Sequence, residues 1–420
     1  MRTKIQHEMK HILILFAFLA CTASSCDKTG ILGNEDYNNP RKDITLTTKQ
    51  AEFVASGNTF AFNFIDRINT AETKDYMVSP LSLQFLLGMI LEGAEGKTAE
   101  EISTVLGYGS DGAQEVNEYC LAMLTQLPGV DKETKLAIAN AIILNQECTL
   151  NKEYKDNVTR FYQAEAVNKD FNDTKGTADY INNWCSKHTE GMISKIMDEA
   201  SPDIMAYLIN ALYFKSKWSS PFQKDMSSKK PFTDEAGRKA DVTMMIQESE
   251  FRHYSGKEFD AVQMNYGNGA YTMTVMLPND GYKVSDICAW LKTKSWADFI
   301  KSFGYCKVNL WIPKFETEYK IKLNDILSAM GMPKSFAPGA EFLKMSPHAN
   351  YLDFVQQFTK IIVDEEGTEA AAVSIGGMAR NTSVGGPEHI EIFHADHPFL
   401  YVISERSTGA ILFAGRYSNK

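Results

Sequence analysis

Three histidines lie close together near the end of this 420-residue chain. His389, His394 and His397 fall within nine residues, and imidazole is a common ligand for zinc and other transition metals. A metal site also needs side chains that converge on one point, which this spacing does not ensure. We therefore interpret the three as histidines of a loop or an edge strand, and we predict no metal site and no cofactor.

A Gly-Lys-Thr sequence at 96–98 resembles part of a phosphate-binding loop. The complete motif needs an earlier glycine at position 91, which is Leu91. Thr98 followed three residues later by Glu101 fits a capping box that starts a helix. The local sequence therefore predicts a helix start and no nucleotide site.

Catalytic motifs for other chemistries are also missing. The sequence contains neither H-E-x-x-H nor G-x-S-x-G. Five cysteines follow the N-terminal region, and they are widely spaced without a C-x-x-C pair: Cys120, Cys148, Cys185, Cys288 and Cys306. We interpret most of them as small buried apolar residues. Nothing in these patterns predicts an enzyme.

One segment has a composition that an ordinary loop does not explain. Residues 363–379 read VDEEGTEAAAVSIGGMA, whereas loops favour Gly, Pro, Asn and Asp. Strand alternation would place uncharged, mostly small side chains on one face and Glu369 on the other. The uncharged face comprises Thr368, Ala370, Ala372, Ser374, Gly376 and Met378. Such a segment could enter the middle of a sheet with this face against a core.

The surrounding elements indicate an α+β fold. Apolar residues from Phe53 to Ile68 repeat with helical spacing, and Ser79-Pro80 is a typical helix start. Further helical patterns lie near 112–127, 151–164 and 176–188. Strand-like runs dominate later, at 135–144, 206–218, 271–277, 308–323, 354–363, 399–405 and 410–417. Helices early and strands late, without βαβ alternation, favour mixed or antiparallel sheets.

Length and charge limit the remaining choices. A chain of 420 residues allows two or three domains, but no linker follows residue 47, which favours one unit over 48–420. The net charge of −10 argues against nucleic acid as a partner, because nucleic-acid binders carry basic surfaces.

The N-terminus predicts export. Basic residues precede nine apolar residues at 12–20, too few to span a bilayer, and small residues then lead to Cys26. Residues 1–25 resemble a bacterial lipoprotein signal, with Cys26 as the lipidated residue and Cys21 as the weaker candidate. Whether translation starts at Met1 or Met9 stays open. Residues 26–47 are interpreted as a flexible tether, which would anchor the protein to the outer membrane or cell surface.

Several blocks together resemble the serpin family over roughly residues 48–418. The matching blocks are Val78–Ser82, Gly93–Ile102, Asn210–Lys215 with Trp218 and Phe222, Val242–Met245, His397–Phe399 and Phe413–Arg416. The most specific block is the hinge, which comprises Glu365, Glu366, Gly367, Thr368, Glu369, Ala370, Ala371 and Ala372.

This resemblance implies a single-domain fold with three β-sheets, about nine helices and an exposed reactive loop at about 366–388. It implies a monomeric inhibitor of serine endopeptidases, with cysteine endopeptidases left open. In that family a protease attacks the loop and forms an acyl-enzyme. The loop then inserts as a central strand of the main sheet and traps the protease.

Supporting roles follow from the same resemblance. Ser79, Ser82 and Asn210 would lie beneath the point where the sheet opens. Lys314 would pair with Glu365 at the top of the sheet, where Trp218 also packs. Gln357 occupies a position where vertebrate members often have histidine, and its amide could still hydrogen-bond across the gap.

The cleaved bond is less well defined. Loop spacing places it after Asn381, while Arg380 is the better side chain for a trypsin-like enzyme, and Thr382 offers an overlapping bond. Met378 or Val384 would suit elastase-like or subtilisin-like enzymes. The alternative function is a non-inhibitory serpin that acts as a protease substrate or a binding protein. The third hypothesis is a surface hydrolase or a ligand-binding lipoprotein, and the missing catalytic motifs argue against it.

Overall fold

Nine α-helices occur in the part of the chain that the structure, a computed structural model, describes: residues 39–109, 112–349, 351–368 and 389–420. They are α1 Thr48–Ala71, α2 Pro80–Glu92, α3 Gly96–Leu106, α4 Ala113–Gln126, α5 Lys152–Tyr162, α6 Thr174–His188, α7 Val284–Leu291, α8 Trp296–Lys301 and α9 Asn324–Met330. The predicted signal, Cys26 and residues 369–388 lie outside these ranges.

Local sequence explains one helix start, and the structure corrects the prediction of another. The side chain of Ser79 caps α2, with Pro80 as the first helical residue, as predicted. The predicted capping box at Thr98 is wrong, because α3 already begins at Gly96. Thr98 lies inside the helix, and its hydroxyl accepts a hydrogen bond from the backbone N–H of Glu341 at 2.9 Å. A partner distant in sequence therefore explains this threonine.

Fifteen strands are found within the same residues. They are β1 Tyr76–Val78, β2 Lys135–Asn145, β3 Glu165–Lys169, β4 Ala206–Lys217, β5 Ser228–Thr233, β6 Lys239–Ser255, β7 Phe259–Tyr266, β8 Tyr271–Pro278, β9 Gly304–Pro313, β10 Phe315–Lys322, β11 Gln356–Val363, β12 Gly367–Thr368, β13 Ile390–His394, β14 Phe399–Glu405 and β15 Ile411–Tyr417. The mixed α+β class is as predicted.

Hydrogen bonds connect the described strands into two networks. One has six strands in the order β10-β11-β12-β4-β2-β3, and the other has nine, running from β1 to β13 with β5 attached to β6. The 17-residue strand β6 pairs with β5, β9 and β7 along different stretches. Because β6 is shared, strands that the prediction assigned to separate sheets belong to one hydrogen-bonded network, and two networks are found where three sheets were predicted.

The main core lies between the two sheets. Helix α2 is buried along almost its whole length and packs against β4 of the six-stranded sheet and β15 of the nine-stranded sheet. On the opposite face of the six-stranded sheet, Trp184 and Cys185 of α6 form a smaller cluster with Tyr207 and Ile209 of β4. The strand β4 is therefore covered on both faces.

Residues 39–47 differ from the expected tether over 26–47. Asn39 and Ile44 are buried, and the described residues from Asn39 onward belong to one compact unit. The polar composition of this stretch did not indicate that its two anchoring side chains have partners on the body.

None of the helices in the described ranges is long and apolar enough to cross a membrane.

Candidate functional site

The first half of the predicted hinge forms a tight hairpin at the end of β11. The backbone N–H of Asp364 donates to the carbonyl of Gly367 at 2.9 Å. The Asp364 carboxylate accepts from the N–H groups of Glu366 and Gly367 at 2.9 and 3.2 Å. This turn reverses the chain, so that the residues after it run back alongside β11.

Gly367 and Thr368 then form β12, which lies between β11 and β4. Thr368 pairs with Val363 on one side and with Ser216 on the other. A Cβ at Gly367 would collide with the Ser216 carbonyl oxygen and lie 2.6 Å from the Lys217 Cα. Both are backbone atoms that cannot move aside, so this position requires glycine.

Thr368 is 3% exposed and has a specific partner beneath the sheet. Its hydroxyl shares a 2.6 Å hydrogen bond with the hydroxyl of Tyr266. The ring of Tyr266 stacks on Trp218 with centroids 4.3 Å apart, and the Trp218 indole N–H donates to the Asp364 carbonyl at 2.9 Å. These contacts hold the hinge hairpin at the top of the sheet.

Two acidic residues of the hinge pair with lysines. Lys314 donates to Glu365 at 2.9 Å, and Ser227 donates to its other carboxylate oxygen at 3.0 Å. Glu366 pairs with Lys224 at 2.6 Å. Burial would raise the pKa of Glu365, but the hydrogen bonds from Lys314 and Ser227 outweigh burial and hold that pKa below its usual value.

Glu365→Gln is expected to weaken the hinge hairpin at neutral pH by about 1–2 kcal/mol, because it removes a charge-assisted pair whose lysine is half exposed. Because the folded pKa of Glu365 is lowered, its charge stabilises the fold above the ordinary value of 4.5 and loses that effect as the pH falls through the folded value. Amide exchange of the hairpin in both proteins measures this. A difference that persists unchanged down to pH 2 would contradict the assignment.

Below β12 the six-stranded sheet is open. Within the described residues no backbone pairing joins β4 directly to β11. A cavity of about 520 Å³ lies there instead, lined among others by Ile209 and Asn210 of β4, Phe358 of β11 and Leu86 of α2. The cavity continues the line of β12, so it lies where a longer central strand would run.

A buried polar cluster lies at the floor of this opening. Ser82 of α2 donates to the Asn210 side-chain oxygen, and the Asn210 amide donates to Asn140 of β2 at 2.6 Å. Gln357 of β11 accepts from the Ser79 N–H at 2.9 Å and donates to the Ser79 carbonyl at 2.8 Å. The N-terminus of α2 thus contacts both strands that border the gap.

Other residues of this region had not been singled out from the sequence. Tyr266, Asn140, Ser227 and Thr359 each make a buried or half-buried hydrogen bond at the hinge or beside the gap. Their partners lie between 70 and 282 residues away in the chain. No local pattern marks such residues.

The histidines near the C-terminus and the five described cysteines make separate local contacts. His394 stacks on Trp311 with centroids 3.8 Å apart, and His397 contacts Asp396 and the Pro278 carbonyl. Over the described ranges no three metal-binding side chains converge. The five cysteines there are free thiols, and burial raises the pKa of those at 120, 185 and 288 to about 12.

Comparisons with known proteins decide the family. A family model described as "Serpin (serine protease inhibitor)" matches residues 55–420. The chain belongs to the serpin family. It is 31% identical to a serpin-like protein of Thermococcus kodakarensis over 379 residues, covering 90% of this chain and 88% of that one. It is 29% identical to serpin B6 of Macaca fascicularis over 370 residues, covering 86% and 97%.

Solved structures agree with this serpin assignment. The native-state crystal structure of the thermophilic serpin tengpin matches with a TM-score of 0.79 and 28% identity, covering 91% of this chain and 97% of that one. Serpins as a family are protease inhibitors and not catalytic enzymes. The hinge residues Glu365–Thr368 lie at the top of the open sheet. The hinge residues Glu369–Ala372 and the cleavage candidates Arg380, Asn381 and Thr382 lie outside the described residues.

Proposed function

We propose that this serpin is a suicide-substrate inhibitor of serine endopeptidases that traps its target by inserting its loop between β4 and β11. The observation that carries the proposal is the position of β12. Gly367 and Thr368 already occupy the first two places of a central strand, and the cavity is lined by residues 206–211 of β4, opposite which residues 373–378 of a continued strand would lie. A loop cut beyond residue 378 could therefore continue a strand that has begun.

The register of β12 specifies where each further residue would lie. Continued one residue at a time from the Thr368 pairs, this register would bring residues 369–378 opposite Lys215 down to Ala206 in β4. Ser374 would then lie between Asn210 in β4 and Gln357 in β11. The small face from Ala370 to Met378 would then lie on the α2 side, and Glu369 would lie beside Lys215.

The energetics favour a metastable starting state. Ten inserted residues that form ladder bonds with both neighbouring strands gain on the order of 10 kcal/mol, at about 1 kcal/mol net per bond. The uninserted form then persists because of a kinetic barrier, and not because it has the lowest free energy. An acylated protease would supply the cut that releases the loop.

Mixing the purified protein with trypsin, elastase and subtilisin tests the proposal. The expected result is a covalent complex that survives denaturant, and sequencing of the released C-terminal peptide identifies the cleaved bond. We favour cleavage after Arg380 or Asn381, with Arg380 suiting a trypsin-like target. Turnover by these and papain-like proteases without any complex would instead support the non-inhibitory alternative, a serpin that serves as a substrate or binding protein.

We further propose that the protein is exported and lipid-anchored through Cys26. Cys26→Ala is expected to release it from membranes, because a lipid chain adds about 0.8 kcal/mol of membrane affinity per buried CH₂. Fractionation of cells that express each form measures this, with Cys21→Ala as the matched control. Membrane association that persists in the Cys26 variant would remove the anchor assignment.

A further inference from the structure

A buried carboxylate connects the N-terminal segment to the hinge end of β4. Asp131 is 1% exposed. One of its oxygens accepts from the Asn39 side-chain amide at 2.7 Å and from the Glu133 N–H at 3.0 Å. The other accepts from the Thr134 hydroxyl at 2.7 Å and from the Asn268 N–H at 3.3 Å. Three segments of the chain, at residues 39, 131–134 and 268, thus meet at one carboxylate.

The chain of hydrogen bonds continues from Thr134 into the sheet. The Thr134 and Ser216 hydroxyl oxygens lie 2.6 Å apart. Since Thr134 uses its only proton on Asp131, Ser216 must donate to Thr134. Ser216 is the residue of β4 that pairs with Thr368 of the hinge. Asn39 is therefore linked through Asp131, Thr134 and Ser216 to the place where a central strand begins.

The segment that carries Asn39 has further attachments to the body. We call residues 39–45 the strap. Its Lys42 N–H donates to the Val130 carbonyl at 3.2 Å, and its Ile44 N–H donates to the Ser407 hydroxyl at 2.9 Å. Asn39 and Ile44 are buried, whereas residues 40–43 between them are exposed. The strap is thus fixed at two buried points and accessible in between.

We infer that the strap is a removable brace that holds the hinge end of β4 in place through the Asn39–Asp131–Thr134–Ser216 chain. Loss of Asn39 withdraws one donor from a buried carboxylate and leaves the Lys132 N–H without its Asn39 acceptor. Because bonds to charged groups are the stronger ones, the top of β4 then opens more often. The consequence for inhibition rests on the proposed loop insertion, but the local opening does not.

The exposed part of the strap indicates how the brace could be removed. Arg41 and Lys42 lie in the accessible stretch between the two buried anchors. Cleavage after either one by a trypsin-like enzyme would separate Asn39 from the body, together with everything that precedes it. A shortened protein that begins at Lys42 reproduces the product of cleavage after Arg41.

Amide hydrogen exchange of the purified protein, without any protease, tests the brace. In Asn39→Ala and in the chain beginning at Lys42, we expect peptides covering 213–218 and 364–368 to exchange about tenfold faster than in the wild type. The peptide of α7 should not change. Arg41→Ala, which removes only an exposed pair with Asp43, is the matched control and should match the wild type.

A double variant separates a brace from a general stability contact. Thr134→Val interrupts the same chain of hydrogen bonds nearer to β4. Amide exchange in the double variant Asn39→Ala with Thr134→Val should therefore be no faster than in the faster of the two single variants. The inference would be overturned if the α7 peptide exchanged faster by the same factor, or if exchange at the hinge were unchanged. It would also be overturned if the effects of the two substitutions on the exchange rate multiplied in the double variant. Complex formation with protease is measured separately, so failure of inhibition is distinguishable from failure of the brace.

Discussion

Thr368→Arg is expected to convert this serpin from an inhibitor into a substrate. The covalent complex with a serine endopeptidase should fall at least about tenfold, with cleaved, unlinked protein appearing in its place. In the proposed mechanism insertion would begin at Thr368, since this residue already pairs with Val363 and Ser216. A change here acts before any other residue of the loop has entered the sheet.

The physical reason is the cost of burying a charge without a partner. Thr368 is 3% exposed, and its hydroxyl faces that of Tyr266, whose ring stacks on Trp218. The partners of Thr368 among the described residues are Tyr266, Val363 and Ser216, none of them a carboxylate. A guanidinium at this position would therefore lose its hydration without gaining an ion pair from them, at a cost of several kcal/mol. The hinge hairpin would leave the sheet, and the acyl-enzyme would hydrolyse first.

Thr368→Ser is the matched control, because it keeps the hydroxyl that bonds Tyr266 and removes only a methyl group. Gel analysis of the covalent complex and the cleaved product measures both variants at the same protease ratio. A complex yield for Thr368→Arg equal to that of the wild type would show that insertion does not begin at this residue.

Sequence reasoning predicted best where the signal is local. The Ser79-Pro80 helix start and the strand-like runs at 399–405 and 410–417 each follow from a few adjacent residues, and the structure has all three. The small-residue face after Glu366 is also a local pattern, because strand alternation has a period of two, and beyond Thr368 it stays a prediction. These features need no knowledge of what lies across the fold.

The parts that escaped prediction depend on distant partners. Tyr266 forms a hydrogen bond with Thr368, 102 residues away in the sequence, and Thr98 forms one with Glu341, 243 residues away. Asn39 was interpreted as part of a tether because its partner, Asp131, lies 92 residues away. A polar residue in a polar stretch has the same sequence appearance whether its amide is solvated or bonded to a buried carboxylate. Only the folded chain distinguishes the two.

Ser374→Arg is expected to stop insertion part-way and also to lower complex formation at least about tenfold. By the register of β12, Ser374 would enter between Asn210 and Gln357, where a small hydroxyl can join the polar cluster. An arginine there would lie over Ser82 and α2, in a region with no carboxylate among the residues of that cluster. The strand would advance five residues beyond Thr368, about 17 Å, and then halt.

Thermal unfolding after loop cleavage measures this arrest directly. The cleaved wild type should become far more heat-resistant than the intact protein, since full insertion adds on the order of 10 kcal/mol. Cleaved Ser374→Arg should gain only part of that resistance. Glu369→Arg is the matched control. Continued beyond Thr368, the register would put residue 369 on the outer face beside the partly exposed Lys215, where charge repulsion would cost at most about 1 kcal/mol. Equal heat resistance in both cleaved variants would refute the register and, with it, the face that the small residues present to the core.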